Sequence, residues 1–148
     1  MKKNTVLIKK LNDSNFETPK YHTDGSVGMD LSASLETDVL IKRNKRELIP
    51  TGISISLPQN IEGQVRPRSG LAIKFGITVL NSPGTIDSDY RGEIKVILIN
   101  HGEEDFLIKN NDRIAQLVFN EVVKVSLKEV DSLDETSRGK KGFGSTGK

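Results

Sequence analysis

Apolar residues in this sequence come in short runs, and where a run is long enough to show a period, the period is two. In Gly52-Ile53-Ser54-Ile55-Ser56-Leu57 the alternation is strict, as expected of a strand with one buried face. The same pattern predicts strands over residues 5–11, 39–41, 47–57, 77–80, 93–100, 105–108 and 113–127. Turns separate them at Leu57-Pro58-Gln59-Asn60, Ser82-Pro83-Gly84, Asn100-His101-Gly102 and Asn110-Asn111-Asp112, because Gly and Asn accept unusual dihedrals and Pro fixes its own. No long segment holds a helical period, and only residues 69–75 have room for a turn or two of helix. Many short strands with polar turns predict an all-β sandwich or barrel. There is no internal repeat.

The end of the chain departs from this pattern. From residue 131 to 148 the only large apolar residues are Leu133 and Phe143, and residues 138–148 contain four glycines and three lysines. Such a stretch buries too little to offset its ordering entropy. The expected organisation is one β domain over residues 1–130 and a mobile arm over residues 131–148.

Composition narrows the chemistry. At 148 residues the chain has room for one core, and with few aromatics and no Trp that core must be aliphatic. There are no cysteines and only two histidines, so neither a disulfide framework nor a thiolate or His-rich metal site is available, which suits a reducing cytoplasm. No apolar stretch reaches membrane-spanning length, and the start lacks a signal-peptide apolar region, so a soluble, unexported protein with no membrane partner is expected. The formal charge is +2 with Lys and Arg spread along the chain, so no nucleic-acid partner is expected and any anion site should be small.

Five segments have residues suited to phosphate or nucleoside chemistry. Gly25-Ser26-Val27-Gly28-Met29-Asp30-Leu31-Ser32-Ala33 sets a carboxylate among small residues, suited to metal-bound water or to capping a turn. In Arg66-Pro67-Arg68-Ser69-Gly70-Leu71-Ala72, Arg offers a planar fork of donors and Ser-Gly opens a helical turn with free N–H groups; a salt-bridged surface loop reads equally well. No Walker loop is present, so phosphate binding has to come from scattered loops. Asn81-Ser82-Pro83-Gly84-Thr85-Ile86-Asp87-Ser88-Asp89-Tyr90-Arg91-Gly92 is a polar hairpin whose glycines permit close backbone approach to a ligand. In Asp112-Arg113-Ile114-Ala115-Gln116-Leu117-Val118-Phe119, alternation puts Gln116 on a face with Ile114 and Val118, as a partnered core group or a ligand contact. Arg138-Gly139-Lys140-Lys141-Gly142-Phe143-Gly144-Ser145-Thr146-Gly147 supplies charge, a ring and unhindered N–H groups to a closing arm.

In this order the five segments resemble the five signature motifs of the trimeric dUTPase family, and they span nearly the whole chain. Pro-Arg-Ser-Gly-Leu-Ala, Gly-Thr-Ile-Asp-Ser-Asp-Tyr-Arg-Gly, Arg-Ile-Ala-Gln-Leu and Gly-Phe-Gly-Ser-Thr-Gly carry the match. The resemblance implies a distorted jelly-roll-like β-barrel subunit, a homotrimer with active sites shared between chains, and Mg2+-dependent hydrolysis of dUTP to dUMP and pyrophosphate. Such an enzyme limits uracil in DNA and supplies dUMP for dTMP synthesis. By the same resemblance, Asp87 is the general base for in-line attack of water on the α-phosphorus, as suits a group that only accepts protons when ionised. Asn81, Gly84, Thr85, Ile86 and Lys95 read uracil, and Tyr90 lies under the deoxyribose. Arg68, Ser69, Gly70 and Gln116 hold the phosphates, and Asp30 acts through water on the magnesium or on the neighbouring site residues. Arg138 contacts the γ-phosphate and Phe143 covers the base, with Gly144 and Ser145 beside it as the arm closes.

Three positions depart from the family pattern. Val27 stands where Ala is common, Asn111 where Gly is frequent, and Lys141 where the arm usually has a second Gly. Asn tolerates positive φ, so the turn at Asn111 is expected to survive, whereas Lys141 stiffens the arm and adds charge. The rival with a related fold, dCTP deaminase, is expected to carry a catalytic Glu and an Arg-Ser-Ser loop, where this chain has Arg68-Ser69-Gly70.

Overall fold

Alternating burial organises the chain into strands that each give one face to an aliphatic core. The computed structural model describes residues 4–11 and 17–142. In order these form β1 (Leu7–Lys10), β2 (Gly28–Ser32), β3 (Val39–Ile41), β4 (Arg46–Pro50), β5 (Ile53–Ser56), β6 (Ile61–Arg66), α1 (Ser69–Phe75), β7 (Ile77–Val79), β8 (Gly84–Ile86), β9 (Lys95–Asn100), β10 (Phe106–Ile108) and β11 (Arg113–Glu121). The fold is all-β with one short helix, as the sequence predicts.

Every pairing is antiparallel, in sheets ordered β1-β5, β10-β3, β2-β11-β6-β8 and β4-β9-β7. Among the described residues no ladder joins these sheets into a closed barrel. Leu31, Ile41, Ile49, Leu98 and Ile108, from five different strands, are fully buried in one cluster. Each such side chain contributes about 1.5–3 kcal/mol by leaving water.

The structure corrects several expected boundaries. The run over residues 47–57 is two strands, because Gly52 at φ 68° turns the chain from β4, which pairs with β9, into β5, which pairs with β1. β2 and β8 lie within segments expected only as motifs, and β6 lies where no strand was expected, with only its last residue, Arg66, in a motif segment. The expected hairpin over residues 81–92 is not one: β8 pairs with β6 and β9 with β7 and β4, so the intervening segment crosses between two sheets. β11 ends at Glu121 rather than at residue 127. Its last tie is Val122 N–H to the Asn60 carbonyl at 2.9 Å, after which Val123, Val125 and Leu127 point into solvent. Residues 131–142 carry no strand or helix and are almost all exposed.

Basic residues are also more clustered than expected. Lys42, Arg43, Lys45 and Arg46 surround Asn44, at φ 59°, on the exposed turn between β3 and β4. Buried Asn100 anchors that turn: its main chain bonds Asn44 and Lys45, and its amide donates to the carbonyls of Ile41 and Glu104. Asn111 adopts φ 68°, so the turn before β11 keeps its left-handed residue.

Candidate active site

The four-stranded sheet sorts its side chains by face. Leu31, Val65, Ala115, Leu117 and Ile86 point into the core. Among the alternate positions the register aligns three polar residues, although Ile114 and Val118 beside Gln116 are themselves buried: Arg66 of β6 opposes Gln116 of β11, which opposes Asp30 of β2. Gln116 donates one amide N–H to the Pro67 carbonyl at 2.9 Å, with its oxygen side packed against Gly28, and remains half-buried beside the cleft it lines. A methyl group at Gly28 would overlap Gln116 Oε1. Glycine is needed there for close approach and not for its dihedrals.

Asp30 is the centre of a charged cluster. Arg68 donates Nε to Asp30 Oδ1 at 3.0 Å, and Arg113 donates Nη1 to Oδ2 at 3.1 Å. His22 Nε2 lies 3.4 Å from the same Oδ2. A second Arg68 nitrogen donates to the Arg113 carbonyl at 3.0 Å, which fixes the guanidinium plane. Arg68 also ends the strand-like approach to α1, and its carbonyl accepts from Leu71 and Ala72. The exposed N–H groups of Ser69 and Gly70 therefore have no backbone partner among the described residues, and space is open above Gly70.

The crossing segment makes a second group. Thr85, Asp87, Tyr90 and Lys95 line a cleft of about 320 Å3 with Leu48, Ile86, Glu93 and Ile94. Asp87 is exposed, and its carboxylate has no hydrogen-bond or ionic partner among the described residues. Tyr90 bends back to donate its hydroxyl to the Glu93 carbonyl at 3.0 Å, a path that only the bare Gly92 leaves open. Glu93 accepts from Gly52 N–H at 2.9 Å and lies 3.6 Å from Lys95 Nζ, so it braces the far wall. Asn81 is exposed at the start of the segment, close enough for its amide to approach Gly84, and the Ser82–Pro83 peptide is cis.

The two groups do not share a cleft on one chain. Asp30 and Arg113 line a small one of about 80 Å3 with Glu17 and His22. Asp87 follows Ile86, whose partner on β6 is Gly63, whereas Gln116 and Asp30 lie in the row of Arg66, three residues further on. That spacing is about 10 Å along the strand. Arg138 stands apart from both: its Nε donates to the Lys141 carbonyl at 3.0 Å within a turn closed by Gly139 N–H to Thr136. Phe143, Gly144 and Ser145 lie outside the described residues.

Local spacing gives no hint of Arg113 or His22 as partners of Asp30. Arg113 is 83 positions away in sequence, and only strand register brings them together. Residues fit for magnesium are few. Both Asp30 oxygens already accept from arginine, and no cluster of three or more His, Asp or Glu side chains is found among the described residues. This donor set suits an ion carried on a polyphosphate, with the protein reaching it through water at most. No helix among the described residues is long and apolar enough to cross a membrane.

Comparison with known proteins bears on what this arrangement does. The profile of the dUTPase family matches residues 14–147. A deoxyuridine 5'-triphosphate nucleotidohydrolase of Ehrlichia canis (strain Jake) is 58% identical over 152 residues, covering 99% of this chain and 99% of its own. One of Rickettsia bellii (strain OSU 85-389) is 58% identical over 142 residues, covering 96% of this chain and 95% of its own. Among solved structures, a mutant of the Staphylococcus bacteriophage 80alpha dUTPase with dUpNHpp superposes at TM-score 0.83 and 25% identity, covering 98% of this chain and 99% of that one. A mutant dUTPase of phage phi11 of S. aureus, described with a structural Mg(II) ion, superposes at TM-score 0.79 and 20% identity over 89% of this chain and all of that one. The last likeness speaks to fold alone.

Proposed function

The chain belongs to the dUTPase family and hydrolyses dUTP, and we propose that it does so by in-line attack of water on the α-phosphorus, with Asp87 as the general base. The observation that carries this reading is the unpartnered Asp87 carboxylate in the cleft of Thr85, Tyr90 and Lys95. A carboxylate not already engaged by a cation or a hydrogen-bond donor is available to orient water and take its proton. Asn81, Gly84, Thr85, Ile86 and Lys95 are proposed to read uracil, with Tyr90 under the deoxyribose. Arg68 and the free N–H groups of Ser69 and Gly70 suit a phosphate, and Gln116 is placed to join them. Asp30 is proposed to orient Arg68 and to meet magnesium through water. Magnesium, when bound with the substrate, would supply charge neutralisation on the phosphates.

We further propose a jelly-roll-like subunit that assembles as a homotrimer with shared sites. Two features support it. Asp87 lines one cleft, whereas Asp30 and Arg113, which Arg68 joins through hydrogen bonds, line another, an arrangement in keeping with a site completed by a neighbouring chain. Val123, Val125 and Leu127 are also exposed, with no strand beside them among the described residues, an apolar stretch that a second copy would cover. Residues 131–148 are then an arm that closes over a site with Arg138 on the γ-phosphate and Phe143, Gly144 and Ser145 at the base. A cytoplasmic location belongs to the same proposal, in keeping with a cysteine-free sequence. Pyrophosphate release with magnesium from dUTP, compared with UTP, dTTP and dCTP, tests the reading: strong selectivity for dUTP is expected, and equal turnover of UTP or dTTP would contradict it.

A further inference from the structure

Arg66 is a cation that the site as described leaves without a task. It closes the row Asp30, Gln116, Arg66 across three strands, on the outward face. The two ends of that row differ in charge balance. Asp30 is matched by Arg68 and Arg113, whereas no carboxylate lies within ion-pair distance of Arg66 among the described residues. What holds Arg66 is neutral: its Nε and Nη2 both donate to Gln64 Oε1, at 3.0 and 2.7 Å. Gln64 in turn donates Nε2 to Glu62 Oε1 at 2.7 Å, which keeps its amide oxygen turned to the arginine. The guanidinium is thus aimed without being neutralised, and its Nη1 has no hydrogen-bond partner among the described residues.

The space beside it is suited to an anion. A cleft of about 420 Å3 is lined by Gln64, Arg66, Pro67, Ser82, Pro83 and Gln116. Only Pro67 separates Arg66 from Arg68 and the free N–H groups that follow it. A guanidinium has donors and no acceptor, in a fork that fits phosphate oxygens and cannot read the mixed edge of a uracil.

We infer that Arg66 is a further phosphate-contact residue of this site, holding the outer phosphates of the triphosphate from the side of Gln116, with Gln64 and Glu62 as its positioning residues. The inference rests on the dUTPase reading and deepens it. It places the unbalanced charge where the leaving pyrophosphate forms, and not where the nucleoside binds.

Calorimetric titration of the full chain with dUpNHpp and with dUMP, each with magnesium, tests it without needing turnover. Arg66→Gln is expected to weaken dUpNHpp about tenfold, the worth of one charge-assisted hydrogen bond, while dUMP stays within about twofold. Arg66→Lys keeps the charge but loses the fork, so it is expected to recover part of the loss, again on dUpNHpp alone. Should Arg66→Gln not fold, a loss of about threefold on dUpNHpp confined to Arg66→Lys carries the same meaning. Wild-type affinity for dUpNHpp in the variants would overturn the inference, and so would equal losses on both ligands, which mark a purely structural role. If the unaltered chain binds neither ligand, the dUTPase reading fails first and this inference fails with it.

Discussion

At the scale of single residues, the site depends on close neighbours more than on isolated reactive groups. Asp30 accepts from two arginines at once, so Asp30→Asn leaves Arg68 and Arg113 beside a neutral amide. Because the Arg113 side chain is 55% exposed, the expected stability loss is modest, about 1–2 kcal/mol by urea unfolding. Turnover of dUTP should fall much further, about a hundredfold, because Arg68 loses its orientation. Gly28→Ala makes the complementary case. Its methyl group displaces the Gln116 amide, so kcat/KM is expected to drop at least about tenfold with little change in thermal stability. A wild-type kcat/KM in that variant would remove Gln116 from the site. The motif residues could be named from the sequence because Asp87, Arg68 and Gln116 sit inside short specific strings. Arg113 as a partner of Asp30, and Arg66 as an unbalanced cation, could not, since each is defined by cross-strand register.

At the scale of elements, alternation showed the strands that carry large aliphatic residues and hid those that carry the site. β9 and β5 read directly from the sequence. β2, β6 and β8 did not: Asp30 interrupts one, Gly63 and Gln64 another, and Gly84 opens the third. On β6 the buried positions are Ile61, Gly63 and Val65, so the period of two is present but its middle member has no side chain to reveal it. A methyl group at Gly63 would lie 3.2 Å from Ile86 Cβ, so Ile86 would have to give way slightly to admit it. The crossing segment over residues 81–92 resembled a hairpin because glycine and proline mark turns without saying which strands they join. Leu31 tests whether β2 is a core strand. It is fully buried beside Asp30, so Leu31→Ala is expected to cost about 2–5 kcal/mol in urea unfolding, whereas an exposed strand position would cost well under 1 kcal/mol, about the surface average.

At the scale of the whole molecule, the Asp30 and Asp87 groups lie in separate clefts, and Val123, Val125 and Leu127 form an exposed apolar stretch. The alternation of Val123, Val125 and Leu127 predicted a strand through residue 127, but β11 ends at Glu121: a strand needs a neighbour, and the described residues of one chain supply none there. For the proposed homotrimer, Val125→Asp with Leu127→Asp is expected to leave the fold intact by circular dichroism while shifting the mass measured by light scattering from three subunits toward one. Activity should fall with the trimer. An unchanged trimer in that variant would place the subunit contact elsewhere.

In the proposed mechanism water attacks the α-phosphorus of dUTP with Asp87 as its base, and hydrolysis in 18O-enriched water reads both parts at once. The label is expected in dUMP and not in pyrophosphate, with Asp87→Asn slowing its incorporation by at least about a hundredfold, at the lower end of what a positioned general base contributes. Label in pyrophosphate would mean attack at the β-phosphorus, and a fully active Asp87→Asn variant would mean that another group takes the proton.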